Sequence, residues 1–315
     1  MKIAISFTNF GPYHLARLRA LSRRLAQLGS HLIGYETAGQ ERRYPWRIGE
    51  IEEPFEWVTF FPDQVLEDIP YVECARAMRK NLSRDQPDVV GIAGYVRPEC
   101  LAALNWANRY RRPAILLSES QAIDRPRVWW KEAIKRRRVR RFDAALVGGP
   151  SHRDYLRVLG IPTEQIALGY NAVDNEDLAR RADKARDSKD GTFDLPKRRY
   201  FLSVVRFVAE KNLERLIWSF ARYRRDADPN TAWDLVLCGS GERNRQVEAA
   251  IRASGCSGSV HRPGFLQLDD LARWYAFASA FVLPSVSEPW GLVANEAAAC
   301  GLPLLVSERA GCAQT

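Results

Sequence analysis

Short apolar runs alternate with helix-length stretches along almost the whole chain. Lys2–Phe7 reads as a strand, and Leu15, Leu18, Leu21, Leu25 and Leu28 form one stripe, which predicts a helix over His14–Leu28 stopped by Gly29. His31–Tyr35 and Trp57–Phe61 are the next strands. Helix Tyr71–Ser83 then leads into strand Asp88–Ala93, and helix Glu99–Tyr110 into strand Ala114–Ser118. Helix Val128–Arg140, strand Ala144–Val147, helix His152–Leu159 and strand Gln165–Gly169 continue the pattern. Helices between near-continuous apolar strands imply crossover connections, and so a mostly parallel sheet covered on both faces.

Near residue 176 the texture changes. Glu176–Lys197 is dominated by Arg, Lys, Asp and Glu, and reads as a charged helix running into a linker. The alternation restarts with strand Tyr200–Val205, helix Asn212–Tyr223, strand Asp234–Cys238 and helix Glu242–Ala253. Strand Ser259–Arg262, helix Asp269–Ala278, strand Ala280–Pro284, helix Leu292–Ala299 and strand Pro303–Val306 complete it. The expectation is an α/β protein of two doubly wound domains, over 1–185 and 200–315, joined by a linker at 186–199.

Composition narrows the class. With 46% hydrophobic and 27% charged residues, the 315-residue chain is globular rather than disordered. Its longest apolar runs, Ala280–Pro284 and Leu302–Val306, fall far short of the ~20 residues of a membrane span. Met1–Phe7 lacks the length and cleavage site of an export signal. The six cysteines form no C-x-x-C pair, and most sit in apolar surroundings, as Cys238 and Cys300 do, which argues against a disulfide framework or zinc site. A soluble, cytoplasmic protein is the expectation.

Charge is unevenly spread. The net charge is +9, and the segment Arg125–Arg141 alone holds nine basic residues against one acid, Glu132. Within it, Val128–Arg141 mixes Trp129 and Trp130 with seven cations. Such a helix suits an anionic membrane surface or a phosphorylated lipid acceptor. It would also attract nucleic-acid phosphates, or be a solvated helix whose Trp side chains pack inward. Nucleic acid is disfavoured, because the charge is confined to one helix and no recognition motif accompanies it.

Ligands of open α/β sheets sit outside the carboxyl ends of strands, so polar residues just after strands carry the candidate chemistry. Arg206 leaves one strand, and Lys211 lies beside the next helix start. Together they suit a diphosphate; the alternative is a solvated loop in which Glu210 pairs with a cation. Gly239-Ser240-Gly241 is a glycine turn where a ligand can approach the backbone, or simply a tight strand–helix turn. Glu288 follows a strand and Glu296 lies about one turn into a helix entered through Gly291. Two carboxylates there suit vicinal sugar hydroxyls. At the first strand–helix turn, Asn9-Phe10-Gly11-Pro12-Tyr13-His14 lacks the dinucleotide pattern G-x-G-x-x-G, and His14 is a candidate for the acceptor side.

In order, the strand–Arg206-x4-Lys211-Asn212 segment, Gly239-Ser240-Gly241, Gly264-Phe265, Glu288-Pro289-Trp290-Gly291-Leu292 and Glu296 resemble glycosyltransferase family 4. Glu288 to Glu296 has that family's E-x7-E spacing, and Gly169–Asp174 resembles it more loosely. The resemblance implies a GT-B architecture, two Rossmann-like domains facing a cleft, and a retaining transfer from a nucleotide-diphosphate sugar. Arg206 and Lys211 would neutralise the donor diphosphate, Glu288 would hold the sugar and Glu296 the ribose. Gly239, Gly241 and the backbone of Gly291, Leu292 and Val293 would line the donor. No metal or other cofactor is implied, and Asp226-Ala227-Asp228 is treated as incidental.

Two departures from the family accompany the resemblance. Many members carry a His after the strand matching Ala114–Ser118; here the stretch is Ser118-Glu119-Ser120-Gln121, which leaves that role vacant or taken by Glu119 or Ser118. The chain also ends at Thr315 soon after a strand, so the second domain reads as incomplete. The expected function is therefore sugar transfer to a glycan, lipid-linked glycan or small molecule. The alternative is a nucleotide-sugar-binding protein without turnover.

Overall fold

The computed structural model describes residues 1–42, 52–124, 126–188 and 195–314. In chain order the elements are β1 (Lys2–Phe7), α1 (Pro12–Gln27), β2 (His31–Gln40), β3 (Glu56–Val65), α2 (Tyr71–Asp85) and β4 (Val89–Ala93). There follow α3 (Pro98–Arg109), β5 (Ala114–Ser118), α4 (Trp129–Val139), β6 (Ala144–Val147), α5 (Pro150–Leu159) and β7 (Ile166–Leu168). The rest comprises α6 (Asn175–Asp187), β8 (Tyr200–Val204), α7 (Leu213–Asp226), β9 (Asp234–Cys238), α8 (Asn244–Ala253) and β10 (Val260–Gly264). Last come α9 (Leu268–Phe277), β11 (Ala280–Leu283), α10 (Leu292–Ala299) and β12 (Leu304–Val306).

Two compact units result, Met1–Ala172 and Val173–Thr315. The first holds a seven-stranded parallel sheet in the order β3-β2-β1-β4-β5-β6-β7. The second holds a five-stranded parallel sheet in the order β10-β9-β8-β11-β12. Each is a doubly wound α/β layer, as the alternation predicts. The strand order reverses between β1 and β4 in the first unit and between β8 and β11 in the second; those are the crevices where such sheets bind ligands. Among the described residues no helix is long and apolar enough to cross a membrane.

Two differences from these readings have a clear physical cause. The charged helix α6 groups with the second unit, so the division falls at 172/173 rather than after residue 185. Leu178 and Ala182, one turn apart, are buried in the second core beside Tyr200 and Tyr275. The Arg186 guanidinium donates to the carbonyls of Ala276 (3.1 Å) and Cys300 (2.7 Å), and Arg181 pairs with Asp269. A narrow apolar stripe thus fixes a helix whose composition suggests a tether. Residues 189–194 of the expected linker lie outside the described residues.

Strand β2 is the second difference, running to Gln40 rather than stopping at Tyr35. Glu36 and Thr37 interrupt the apolar run yet are buried. Both are satisfied, so the strand continues through them. The Glu36 carboxylate accepts from the Phe10 amide (2.6 Å), Asn9 Nδ2 (3.2 Å), Trp57 Nε1 (3.0 Å) and the Thr59 hydroxyl (2.7 Å). Burial raises its pKa, against these donors.

Candidate functional site

The second sheet's reversal point gathers the loop after β8 and the loop after β11. The first carries Arg206 and then Lys211 on a single 3-10 turn, Ala209–Lys211. Asn212 follows with φ 56, a left-handed conformation that asparagine tolerates better than most residues, and opens α7. Its Nδ2 donates to the Pro284 carbonyl (3.2 Å), while the Val286 amide donates to the Glu210 carbonyl (2.9 Å). The two loops are therefore laced together by backbone and side chain.

At that junction Lys211 forms an ion pair with Glu288, both largely buried. The Ser285 hydroxyl also donates to Glu288 (3.3 Å). Lys211 thus pairs across the crevice with Glu288, not with its neighbour Glu210. The Gly311 amide donates to the Glu288 carbonyl (3.1 Å) and the Cys312 amide to that of Trp290 (3.0 Å), which holds the Glu288 loop from its far side. Arg206 is half-buried on the same loop as Lys211.

Gly291 turns the chain into α10 with φ 101, where a side chain is strained. A Cβ there would also lie 2.8 Å from Leu283 Cδ2 and 3.4 Å from Glu288 Cγ. Leu292 and Val293 are the first residues of α10, and amides at that position have no intrahelical acceptor. No acid occupies this first turn, so it is suited to a phosphate. Glu296 lies farther along α10, 1% exposed, and accepts from the Tyr275 hydroxyl of α9 (2.7 Å). Neither Tyr275 nor Ser285 stood out in the sequence, since each sits in an ordinary pattern; their partners come from elements distant in the chain.

The glycine turn after β9 is a tight one, packed against the loop after β8. A Cβ at Gly239 would lie 1.9 Å from the Val205 carbonyl oxygen, and one at Gly241 would lie 2.5 Å from that of Phe207. The space left by the missing side chains is filled by the protein's own β8 loop. The Val205 amide donates to Cys238 (3.0 Å) and the Phe207 amide to Ser240 (2.8 Å), with Arg206 between them. These glycines position the Arg206 loop.

Gly11, His14 and Glu119 belong to the first unit. His14 is the third residue of α1, and its Nδ1 accepts from the Gly11 amide at 3.1 Å, capping the helix. Burial, with the neighbouring Arg17 charge, pushes its imidazole pKa down to about 3. A ring so held is neutral at pH 7 and a poor proton acceptor. The same Gly-Pro-x-His device recurs at Gly149-Pro150-Ser151-His152, where the Gly149 amide donates to buried His152 (3.3 Å) and opens α5. Glu119 is exposed just after β5; Ser118 is buried and its hydroxyl accepts from the Ser120 amide (3.2 Å).

Residues 16–177 match the family described as Glycosyltransferase Family 4, and residues 185–315 match Glycosyl transferases group 1. A stretch of 125 residues is 33% identical to the D-inositol 3-phosphate glycosyltransferase of Salinispora tropica, covering 38% of this chain and 26% of that protein. Over 243 residues the chain is 29% identical to the glycogen synthase of Mycobacterium tuberculosis, covering 74% of this chain and 55% of that one. The matches thus span between about a quarter and about half of the length of these curated relatives. Anabaena HepE, solved in complex with UDP-glucose, superposes with a TM-score of 0.70 at 15% identity, covering 100% of this chain and 82% of its own. The chain belongs to glycosyltransferase family 4, the group 1 glycosyl transferases, and has their GT-B fold.

Proposed function

We propose that the protein moves a hexosyl group from a nucleotide-diphosphate sugar to an acceptor hydroxyl with retention of configuration. The observation that carries this reading is the meeting of Lys211 and Glu288 at the reversal point of the second sheet, on loops tied to each other. On this reading Arg206 and Lys211 would supply positive charge near the opening turn of α10, where a diphosphate would receive amide donors as well. As the glycosidic bond breaks, charge grows on the leaving phosphate, and cations held in advance stabilise it without reorganising. On this reading they do so without a metal ion. Glu288 would orient Lys211 and receive a sugar hydroxyl, and Glu296 the ribose. HepE's complex with UDP-glucose makes a UDP-hexose the first donor to test.

The acceptor we propose is a glycan or lipid-linked glycan, and the setting the cytoplasmic side of a membrane. A thermal-shift series with UDP-, GDP- and ADP-sugars identifies the donor, because a ligand of the folded state raises the midpoint. Release of free nucleoside diphosphate then measures turnover. Lys211→Ala should cut that release on the order of a hundredfold, the usual loss when one group stabilising transition-state charge is removed. Arg206→Ala should weaken both donor stabilisation and turnover, and Glu296→Gln chiefly nucleotide affinity. Kinetics unchanged by Lys211→Ala and Arg206→Ala in folded variants would end the proposal. Ser118-Glu119-Ser120-Gln121, lacking the family's His, favours the second reading of a donor-binding protein without turnover; donor stabilisation with no diphosphate released would select it.

A further inference from the structure

A surface helix of a globular protein normally turns its apolar stripe inward and its charges to water. Helix α4 does the reverse. Its inner face presents Glu132 and Lys135, which meet Tyr155 of α5. The Tyr155 hydroxyl donates to Glu132 (2.8 Å), Lys135 Nζ bridges Glu132 (2.7 Å) and that hydroxyl (3.1 Å), and Arg127 donates to it as well (2.8 Å). The Arg127 guanidinium also lies over the Tyr155 ring, 4.3 Å from its centre. Val139 is the buried apolar residue of the helix.

The outer face carries the aromatics. Trp129 is 83% exposed, Trp130 48% and Ile134 45%. Around them Lys131, Arg136 and Arg137 are exposed, and Lys131 Nζ sits 5.3 Å from the centre of the Trp130 ring. Of the readings open for this helix, inward packing of the Trp side chains is not what the fold uses: the ionic network occupies the inward positions. Arg125 lies outside the described residues.

We propose that the outer face of α4 docks on an anionic lipid surface. Indole rings favour the boundary between headgroups and acyl chains, and Ile134 gains from entering an apolar layer. The arginines that follow match the negative potential of acidic lipids. Phosphates alone would satisfy the cations but offer nothing to the aliphatic side chain of Ile134, which favours a membrane over a nucleic acid. The proposal is independent of the donor reading, since it needs no sugar and concerns a helix of the first unit.

The test uses the full chain with vesicles of phosphatidylcholine alone or mixed with phosphatidylglycerol. Co-sedimentation should require the anionic lipid and weaken with salt, as screened contacts do. Replacing Arg136 and Arg137 together by Gln should weaken binding roughly twenty-five-fold, taking about a factor of five per cation near the surface. Trp129→Ser with Trp130→Ser should abolish the quenching of tryptophan fluorescence by brominated acyl chains. All variants should keep the wild-type melting temperature and donor-induced shift, which separates lost docking from lost folding. Equal binding to neutral vesicles, or unaltered partitioning of the arginine variant, overturns the proposal. So does equally tight, Trp-dependent binding to single-stranded RNA, or a Trp-dependent dimer in sedimentation velocity with no vesicle binding.

Discussion

Helices α4 and α6 are both densely charged stretches, yet the fold uses their charges in opposite ways. In α6 the charges pair on the outside, Asp177 with Arg180 and Arg181, and Asp183 with Arg186 (2.7 Å), while Leu178 and Ala182 turn inward. In α4 the ion pairs turn inward onto Tyr155 and the indoles turn outward. Balanced charge can satisfy itself at the surface and leave a small apolar stripe to do the docking. An excess of one sign cannot, and in α4 the only acid goes where Tyr155 of α5 offers a phenol and Arg127, just before α4, a guanidinium.

This contrast can be broken from either side. Leu178→Ala should remove about 2–5 kcal/mol from the second unit, the usual cost of truncating a buried leucine, seen as a lower urea midpoint. Tyr155→Phe should cost about 1–3 kcal/mol, because three charged groups lose a partner while the ring's packing stays. A smaller effect concerns pH. Burial works to raise the pKa of Glu132, but hydrogen bonds from Lys135 and Tyr155 and the Arg127 charge outweigh it and hold the carboxyl below its ordinary 4.5. A carboxyl so lowered stabilises the fold above its unfolded-state value, and that contribution fades as pH falls through the folded one. Glu132→Gln should therefore flatten the decline of stability below about pH 4.5, measured by denaturation across the acid range. Smallest of all, Trp129→Ser should leave stability within about 0.5 kcal/mol, as expected of an exposed side chain with no structural partner. A large loss there would show that the indole packs on the protein after all.

Much of the fold was legible because apolar runs of strand length are hard to place anywhere but inside a sheet. Where a buried polar residue interrupts the run, as at Glu36-Thr37, the pattern ends before the strand does. Its continuation depends on donors from Asn9, Phe10, Trp57 and Thr59, which no local window contains. The candidate site was legible as residue types after strands: Arg206, Lys211, Glu288 and Gly291 stand at the crevice of the second sheet. Gly239 and Gly241 were recognisable as a special turn, but the atoms that demand glycine belong to Val205 and Phe207 on another loop. His14 illustrates the same limit, since its ring is held by the helix it begins.

By itself, then, the sequence determined the alternation of strands and helices, the two parallel sheets and the family's ordered set of polar residues. These follow from hydrophobic periodicity and from spacing along the chain, both local properties. Only the tertiary structure decided which charges are partners, which face of α4 meets solvent and to which unit α6 belongs. Each of those outcomes depends on competition for buried space and hydrogen-bond partners among segments far apart in the chain, and that competition is settled when the sheets assemble.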